Sequence, residues 1–131
     1  MEELIRIGAI ILKDRKLLLI REKSQSFFTL PGAAPEGNES FEGTLLRGIK
    51  ETLNTGPKKM KFFNTFFGES PASNSLLILE TYLVVPNGDL GMGPKMEEMK
   101  WVDSRDMSSV PVNFLIKDQI VPELKRLKAL E

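Results

Sequence analysis

At 131 residues the chain has the length of one domain, and its 41% hydrophobic and 27% charged residues are typical of globular proteins. The 18 basic and 18 acidic residues cancel, which argues against a basic surface for bulk nucleic-acid binding. Because the chain contains neither cysteine nor histidine, disulfides, thiolate ligands and a histidine base are excluded. Its chemistry must rest on carboxylates, lysine, arginine, hydroxyls and backbone groups.

The first elements are predicted to be strands. Residues 4–13 (LIRIGAIILK) are rich in apolar and β-branched side chains, and residues 16–23 form the second arm of a hairpin. A short third strand is predicted over residues 26–30 (SFFTL), which ends at Pro31-Gly32. Residues 33–40 are a loop.

A helix is predicted over residues 41–53. Its apolar positions recur every fourth residue and predict one buried face: Phe41, Leu45, Ile49 and Leu53. Ser40 or Asn38 can cap its start. Gly56 is expected to supply a left-handed cap at its end, where Pro57 prevents continuation.

The second half of the chain is predicted to be mostly strands. Two long strands over 59–69 and 75–85 are followed by a glycine-rich loop (86–94) and a last strand over 97–103. A helix is predicted over 112–130, with a break or kink before Pro122. The order β-β-β-α-β-β-β-α favours an α+β domain in which a mixed sheet lies between helices, an α/β/α arrangement.

The charged face of the 41–53 helix has two interpretations. Arg47 and Glu51 are spaced i, i+4 and can form an ordinary solvated ion pair. However, Gly48 inside a helix costs about 1 kcal/mol relative to alanine. Gly48 therefore marks either a close-packing position or a place where a larger side chain was lost. The preceding Pro-Gly loop lets backbone approach a ligand closely.

Residues 33–55 resemble the signature of the Nudix hydrolases, G-x5-E-x7-R-E-U-x-E-E-x-G-U, in which U is bulky and aliphatic. Glu39 and Arg47 match the E-x7-R spacing, and Glu51 matches the first of the paired glutamates. The approach FFTLPGA and the later EEMKWVDSRDM also resemble family segments, so the resemblance spans roughly residues 4–107. It implies the Nudix fold, with one Nudix-like domain over residues 1–131.

The departures from the signature concern the chemistry. In the family, three helix glutamates hold divalent cations that bridge the diphosphate of the substrate while water attacks phosphorus. Two of these positions are Gly48 and Thr52 here, and Ala33 replaces the first glycine. Asn54 and Thr55 replace the last glycine and aliphatic residue. The resemblance therefore implies weak Mg or Mn binding through oxygen ligands and reduced, altered or lost hydrolysis.

The resemblance also assigns candidate roles. Glu51 is expected to be the principal metal ligand with help from Glu39, and Arg47 is expected to orient Glu51. The backbone at Gly32 and Ala33 is expected to border the metal and the phosphates. Two acids at the start of the last predicted strand are candidate stand-ins for the missing glutamates: Glu97 and Glu98.

The leading hypothesis is a Nudix-family protein that resembles Mg-dependent hydrolases of nucleoside-diphosphate-linked compounds, with impaired activity. The alternative is a non-catalytic module that binds a nucleotide or a partner in the same cleft, and a third hypothesis is a purely structural domain. A nucleotide-type small molecule is the expected ligand, and homodimers are frequent in the family. We expect a cytoplasmic protein, because no apolar run reaches about 18 residues and the acidic start lacks the basic region of a signal peptide. Leu130 and Glu131 are given no functional weight.

Overall fold

The computed structural model describes residues 1–71 and 73–131. It contains seven strands, one long helix and a helical C-terminal region. The strands are β1 Glu2–Ile10, β2 Leu12–Lys13, β3 Lys16–Glu22, β4 Gly32–Ala33, β5 Pro57–Glu69, β6 Ser75–Pro86 and β7 Met96–Val102. The helical elements are α1 Phe41–Leu53, a 3₁₀ turn Ser104–Ser108, a π-helical segment Ile116–Ile120 and α2 Val121–Arg126.

The strands form two sheets. The larger has the order β4-β1-β6-β5, with β1 and β6 parallel and the other pairs antiparallel. The smaller is antiparallel with the order β2-β3-β7. The predicted mixed α+β architecture is confirmed.

Alternate residues of the central strands belong to two hydrophobic clusters. In β3, Leu17 and Leu19 join a cluster that contains the C-terminal helical segment, whereas Leu18 and Ile20 join a cluster that contains α1. Successive strand residues point to opposite faces, so helices cover both sides of the strands. This is the predicted α/β/α layering.

Helix α1 has the predicted bounds, and its ends identify the caps. The Ser40 hydroxyl accepts a hydrogen bond from the backbone N–H of Gly43 at 3.0 Å. At the other end Asn54, with φ 55°, is the left-handed residue, so the expectation that Gly56 takes this role is wrong. Asparagine tolerates this conformation because its short polar side chain bonds locally. Phe41 is 38% exposed and does not belong to the buried face.

Two other predictions are corrected. Residues 26–30 form no strand; Phe28 and Thr29 make only isolated bridges, to Val112 and Ile20. The helix predicted over 112–130 is shorter, because helical residues run only from 114 to 126. Within it the geometry changes from π to α at Val121, immediately before Pro122 in the first turn of α2. The backbone N–H of Val121 still bonds to the carbonyl of Ile116, and Pro122, which has no N–H, cannot continue this bonding pattern.

Among residues 1–71 and 73–131, no helix has the length and apolarity that a membrane span requires.

Candidate functional site

A cleft of about 220 Å³ opens where β4 and the following loop meet α1. Arg47, Glu51, Gly32 and Ala33, four of the residues singled out in the sequence, line this cleft. The remaining lining residues come from β1, β3, the loop after β4, α1 and the start of β7: Arg6, Glu22, Ala34, Pro35, Glu36, Thr52, Lys95 and Met96. A larger hollow of about 620 Å³ beside β5 is lined by none of the predicted site residues.

Arg47 is the centre of the polar network in this cleft. Its Nε and Nη2 donate to the two carboxylate oxygens of Glu39 at 2.8 and 2.9 Å, which is a bidentate ion pair. Its Nη1 donates to Oε1 of Glu51 at 2.7 Å, and Nη2 also donates to the carbonyl of Ala34 at 2.7 Å. One guanidinium therefore joins α1 to the loop that precedes it.

The environment of Glu39 fixes its ionisation. Hydrogen bonds, first from Arg47 and then from the backbone N–H of Glu36 and the hydroxyl of Thr44, together lower the pKa of Glu39 to about 2. The hydrogen bonds of Arg47 to Glu39 and Glu51 raise the pKa of Arg47. Glu39 is therefore a carboxylate at neutral pH, and both of its oxygens already accept hydrogen bonds.

Packing restricts the two signature-glutamate positions that are occupied by Gly48 and Thr52 in this chain. A Cβ atom at Gly48 would lie 2.5 Å from the carbonyl carbon of Gly32 and 2.8 Å from the nitrogen of Ala33. Gly48 is thus a close-packing position, the first of the two interpretations of this glycine. Thr52 is only 4% exposed, and its hydroxyl donates to the carbonyl of Gly48 at 2.7 Å.

The residues of the cleft do not fit a multi-ion metal centre. No group of three histidine, cysteine, aspartate or glutamate side chains that could hold a metal ion occurs in the described part of the chain. Glu51 is 55% exposed and shares Arg47 with Glu39. A cation at this point would compete with a permanently charged guanidinium for the same two carboxylates.

The proposed stand-in acids lie on β7, just beyond the cleft. Glu98 pairs with Arg21 across the β3–β7 ladder, at 3.2 Å between Nη2 and Oε1. Glu97 is exposed. Neither side chain lines the cleft, whereas Met96 does. Their role as stand-ins stays a prediction.

Besides Glu36 of the loop, three charged cleft residues were not singled out from the sequence. Arg6 and Glu22 come from β1 and β3, and Lys95 immediately precedes β7. For Arg6 a signal existed, since it is the one charged side chain in the stretch LIRIGAIIL. No local pattern connects Glu22 or Lys95 to α1.

The loop before β7 reaches the cleft because it caps the end of α1. The backbone N–H of Gly91 donates to the carbonyl of Leu53 at 2.8 Å, and that of Gly93 donates to the carbonyl of Thr52 at 3.0 Å. These are carbonyls that a helix end leaves without intrahelical partners. Fixed in this way, the glycine-rich loop carries Lys95 to the rim of the cleft.

A mixed sheet between helices, with a Pro-Gly loop tied to α1 through the Glu39–Arg47 pair, defines the class to which this chain belongs: it has the Nudix fold. No family model matches the chain. The chain is 27% identical over 128 residues to the ADP-ribose pyrophosphatase of Methanocaldococcus jannaschii. The aligned residues make up 95% of this chain and 74% of that protein.

Solved structures agree on the fold. A MutT Nudix hydrolase from Burkholderia pseudomallei superposes with a TM-score of 0.73 and 20% identity, over 94% of this chain and 98% of that one. The Nudix domain of Shewanella oneidensis NrtR, solved with ADP ribose, gives a TM-score of 0.71 and 18% identity, over 98% and 90% of the two chains. The Nudix fold that the sequence resemblance implied is therefore confirmed.

Proposed function

We propose that this chain binds nucleoside-diphosphate-linked compounds in the cleft beside α1 and that its capacity to hydrolyse them is strongly reduced. The observation that carries the proposal is the cleft itself. It combines the backbone of β4, the Arg47 clamp and the Glu51 carboxylate at the position where the family signature places its diphosphate chemistry.

The size of the ligand is suggested by a second cavity. This cavity has a volume of about 190 Å³ and shares Arg6 and Glu22 with the first. Two adjoining cavities suit an elongated ligand whose diphosphate lies in one and whose nucleoside or sugar lies in the other. The second cavity offers an aromatic ring and amide groups for such a part: its other lining residues are Gln25, Phe27, Thr29, Leu77 and Asn113.

The relatives narrow the ligand class. The protein from M. jannaschii is an ADP-ribose pyrophosphatase, and the NrtR domain was solved with ADP ribose. ADP-ribose and related nucleoside diphosphate sugars are therefore the compounds to test first. The balanced charge also argues against bulk nucleic acid as the ligand.

Reduced hydrolysis follows from the acids that remain. Glu51 is the carboxylate we assign to the reaction, with Glu39 and Arg47 holding it in place. With Gly48 and Thr52 at the other two signature positions, the cleft lacks the negative charge that would hold several Mg or Mn ions. Residual activity would depend on a weakly bound ion and would be slow.

The second candidate function is binding without hydrolysis, as in a sensor or a partner-binding module. The packing of Gly48 against β4 favours it, because the backbone of Gly32 and Ala33 occupies the space that a catalytic acid at position 48 would need. In this case the cleft would serve recognition alone.

A panel assay separates the two functions. Release of phosphate-bearing products is measured with ADP-ribose, UDP-glucose, diadenosine tetraphosphate and ATP, each with Mg or Mn. Turnover that Glu51→Gln abolishes, while the exposed Glu42→Gln on the same helix leaves it unchanged, supports the reduced enzyme. No turnover together with a rise in Tm on addition of ADP-ribose supports the binding module. If no compound is turned over or raises Tm, both functions are rejected.

A further inference from the structure

Arg6 lacks the partners that a shielded charge normally has. Its Nε is buried and has no hydrogen-bond partner among the described residues, and it is the only buried side-chain nitrogen or oxygen there of which this is true. Its Nη2 lies 3.5 Å from the carbonyl of Gly32, which is at the limit of a hydrogen bond. Buried polar groups in native proteins are almost always satisfied, so an exception of this kind calls for an explanation.

The electrostatic surroundings of Arg6 do not explain why its Nε lacks a hydrogen-bond partner. Burial lowers the pKa of Arg6 and the charge of Glu22 raises it, yet the guanidinium remains protonated at any physiological pH. Glu22 is near enough to act through space, but no salt bridge joins the two side chains. A partly buried permanent cation without a bonded anion is costly, and an anionic ligand relieves that cost.

The other cations of the cleft divide into two kinds. Arg47 is occupied by Glu39, Glu51 and the carbonyl of Ala34. Lys95 is exposed at the rim, and no ion pair is found for it in the part of the chain that the structure describes. Arg6 on the floor and Lys95 at the rim are thus the two positive groups with free capacity.

From this arrangement we propose that the cleft binds the diphosphate of its ligand without a divalent metal ion, with Arg6 as the principal positive group and Lys95 as the second. This proposal rests on the proposed function and names what holds the ligand. Protein cations take the place of the metal ions that the incomplete set of acids does not hold.

The geometry of Arg6 suits this role. A guanidinium presents several N–H donors in a rigid fork that matches the oxygens of a phosphate. Arg6 also lines both cavities, so an anion bound to it lies at their junction. A diphosphate between two larger groups is the chemical class that places its charge at such a junction.

The test measures ADP binding by calorimetry, once in EDTA and once in Mg. We expect ADP to bind in EDTA with an affinity within about threefold of that in Mg. Arg6→Gln should weaken binding by about tenfold or more, as expected for the loss of a charge-assisted hydrogen bond. Glu22→Gln should strengthen it, because a negative charge leaves the cleft. The matched control is Arg126→Gln, since Arg126 is exposed on α2 and paired with Glu123 far from the cleft.

The outcomes distinguish this proposal from the proposed function. Binding that requires Mg, or that Arg6→Gln and Glu22→Gln leave unchanged, overturns metal-independent binding but leaves the proposed function standing. Absence of ADP binding in both conditions also overturns the inference, whereas the proposed function is decided separately by turnover of ADP-ribose or by a rise in Tm with it. If the Tm of Arg6→Gln shows that this variant does not fold, Glu22→Gln and Lys95→Gln decide. Tighter ADP binding by Glu22→Gln together with weaker ADP binding by Lys95→Gln supports the proposal, and any other result overturns it.

Discussion

The backbone of α1 at Gly48 packs directly on the backbone of β4 at Gly32. A Cβ atom at position 48 would stand 2.5 Å from the carbonyl carbon of Gly32, closer than real Cβ contacts. Because the neighbour is backbone, it cannot rotate away as a side chain could. The glycine that weakens the helix locally is therefore what allows the Pro-Gly loop to lie against it.

We expect Gly48→Ala to destabilise the protein. Overpacking costs about 1–3 kcal/mol, whereas alanine returns about 1 kcal/mol of helix propensity, so the loss should prevail. Urea unfolding measures the difference. Gly56→Ala is the control, since a Cβ at Gly56 meets nothing within 4 Å. A stabilised Gly48→Ala variant would show that β4 moves freely away from α1.

Restoring the signature acids should not restore the family's chemistry. In Gly48→Glu combined with Thr52→Glu, one carboxylate meets the β4 backbone and the other replaces a side chain that is 4% exposed. We expect a lower Tm and no gain in Mn affinity by calorimetry, because the acid at position 48 cannot enter the cleft without displacing β4 and the acid at position 52 replaces a buried, hydrogen-bonded hydroxyl. Tight Mn binding by a folded double variant is the result that contradicts this expectation.

Arg47→Lys should loosen the junction of the loop with α1. A lysine ammonium cannot reproduce the bidentate bond to Glu39 together with the bonds to Glu51 and Ala34. Because the Arg47 side chain is 26% exposed, the expected loss is only about 1 kcal/mol after solvent screening. Urea unfolding tests this, with Arg126→Lys as the control that should change little. Equal stability of both variants would mean that the network contributes nothing measurable.

Acidic pH should lower the stability of the folded protein through protonation of Glu39. Its pKa is about 2 in the folded protein, below its ordinary value of 4.5. The unfolded chain therefore binds more protons, and the stabilisation is present above the ordinary pKa and lost as the pH falls from about 4.5 toward 2. Asp103, held at about 2 by Arg105, contributes with the same sign.

Measurements of Tm against pH, for the unaltered chain and for Glu39→Gln, isolate the contribution of Glu39. The variant should lose less stability than the unaltered chain between pH 4.5 and 2. The slope that remains should come from Asp103 and Glu123, whose pKa values are also lowered by their arginine partners. Identical slopes would mean that the Arg47–Glu39 pair does not couple to unfolding.

The end of α1 offers a conformational test. Asn54 has φ 55°, a left-handed conformation that costs most residues roughly 1–2 kcal/mol. Asn54→Ala should therefore destabilise by about 1 kcal/mol, whereas Asn54→Gly should be neutral or mildly stabilising. Thermal unfolding of the two variants shows whether each substitution lowers or raises the stability. If alanine and glycine behave alike, the left-handed cap is not what ends the helix.

Local patterns in the sequence predicted the elements that local rules govern. The bounds of α1 followed from its apolar spacing and from the polar and proline residues that flank it, and the structure has the same bounds, Phe41–Leu53. The long strands β5 and β6 also lie within two residues of their predicted limits. Where local signals were ambiguous the predictions failed. Residues 26–30 have strand composition but bridge only singly to neighbours.

The amino-acid sequence by itself determined the family resemblance, through Glu39 and Arg47, and the shortage of acids on α1. Only the tertiary structure decided what Gly48 is for and which cations share the cleft. Arg6 and Lys95 lie on opposite sides of α1 in the chain, and they meet because β1 pairs with β4 and the loop before β7 caps α1. Helix spacing is set by neighbours within a few residues, whereas a cleft is set by sheet pairing between distant segments, which no local pattern encodes.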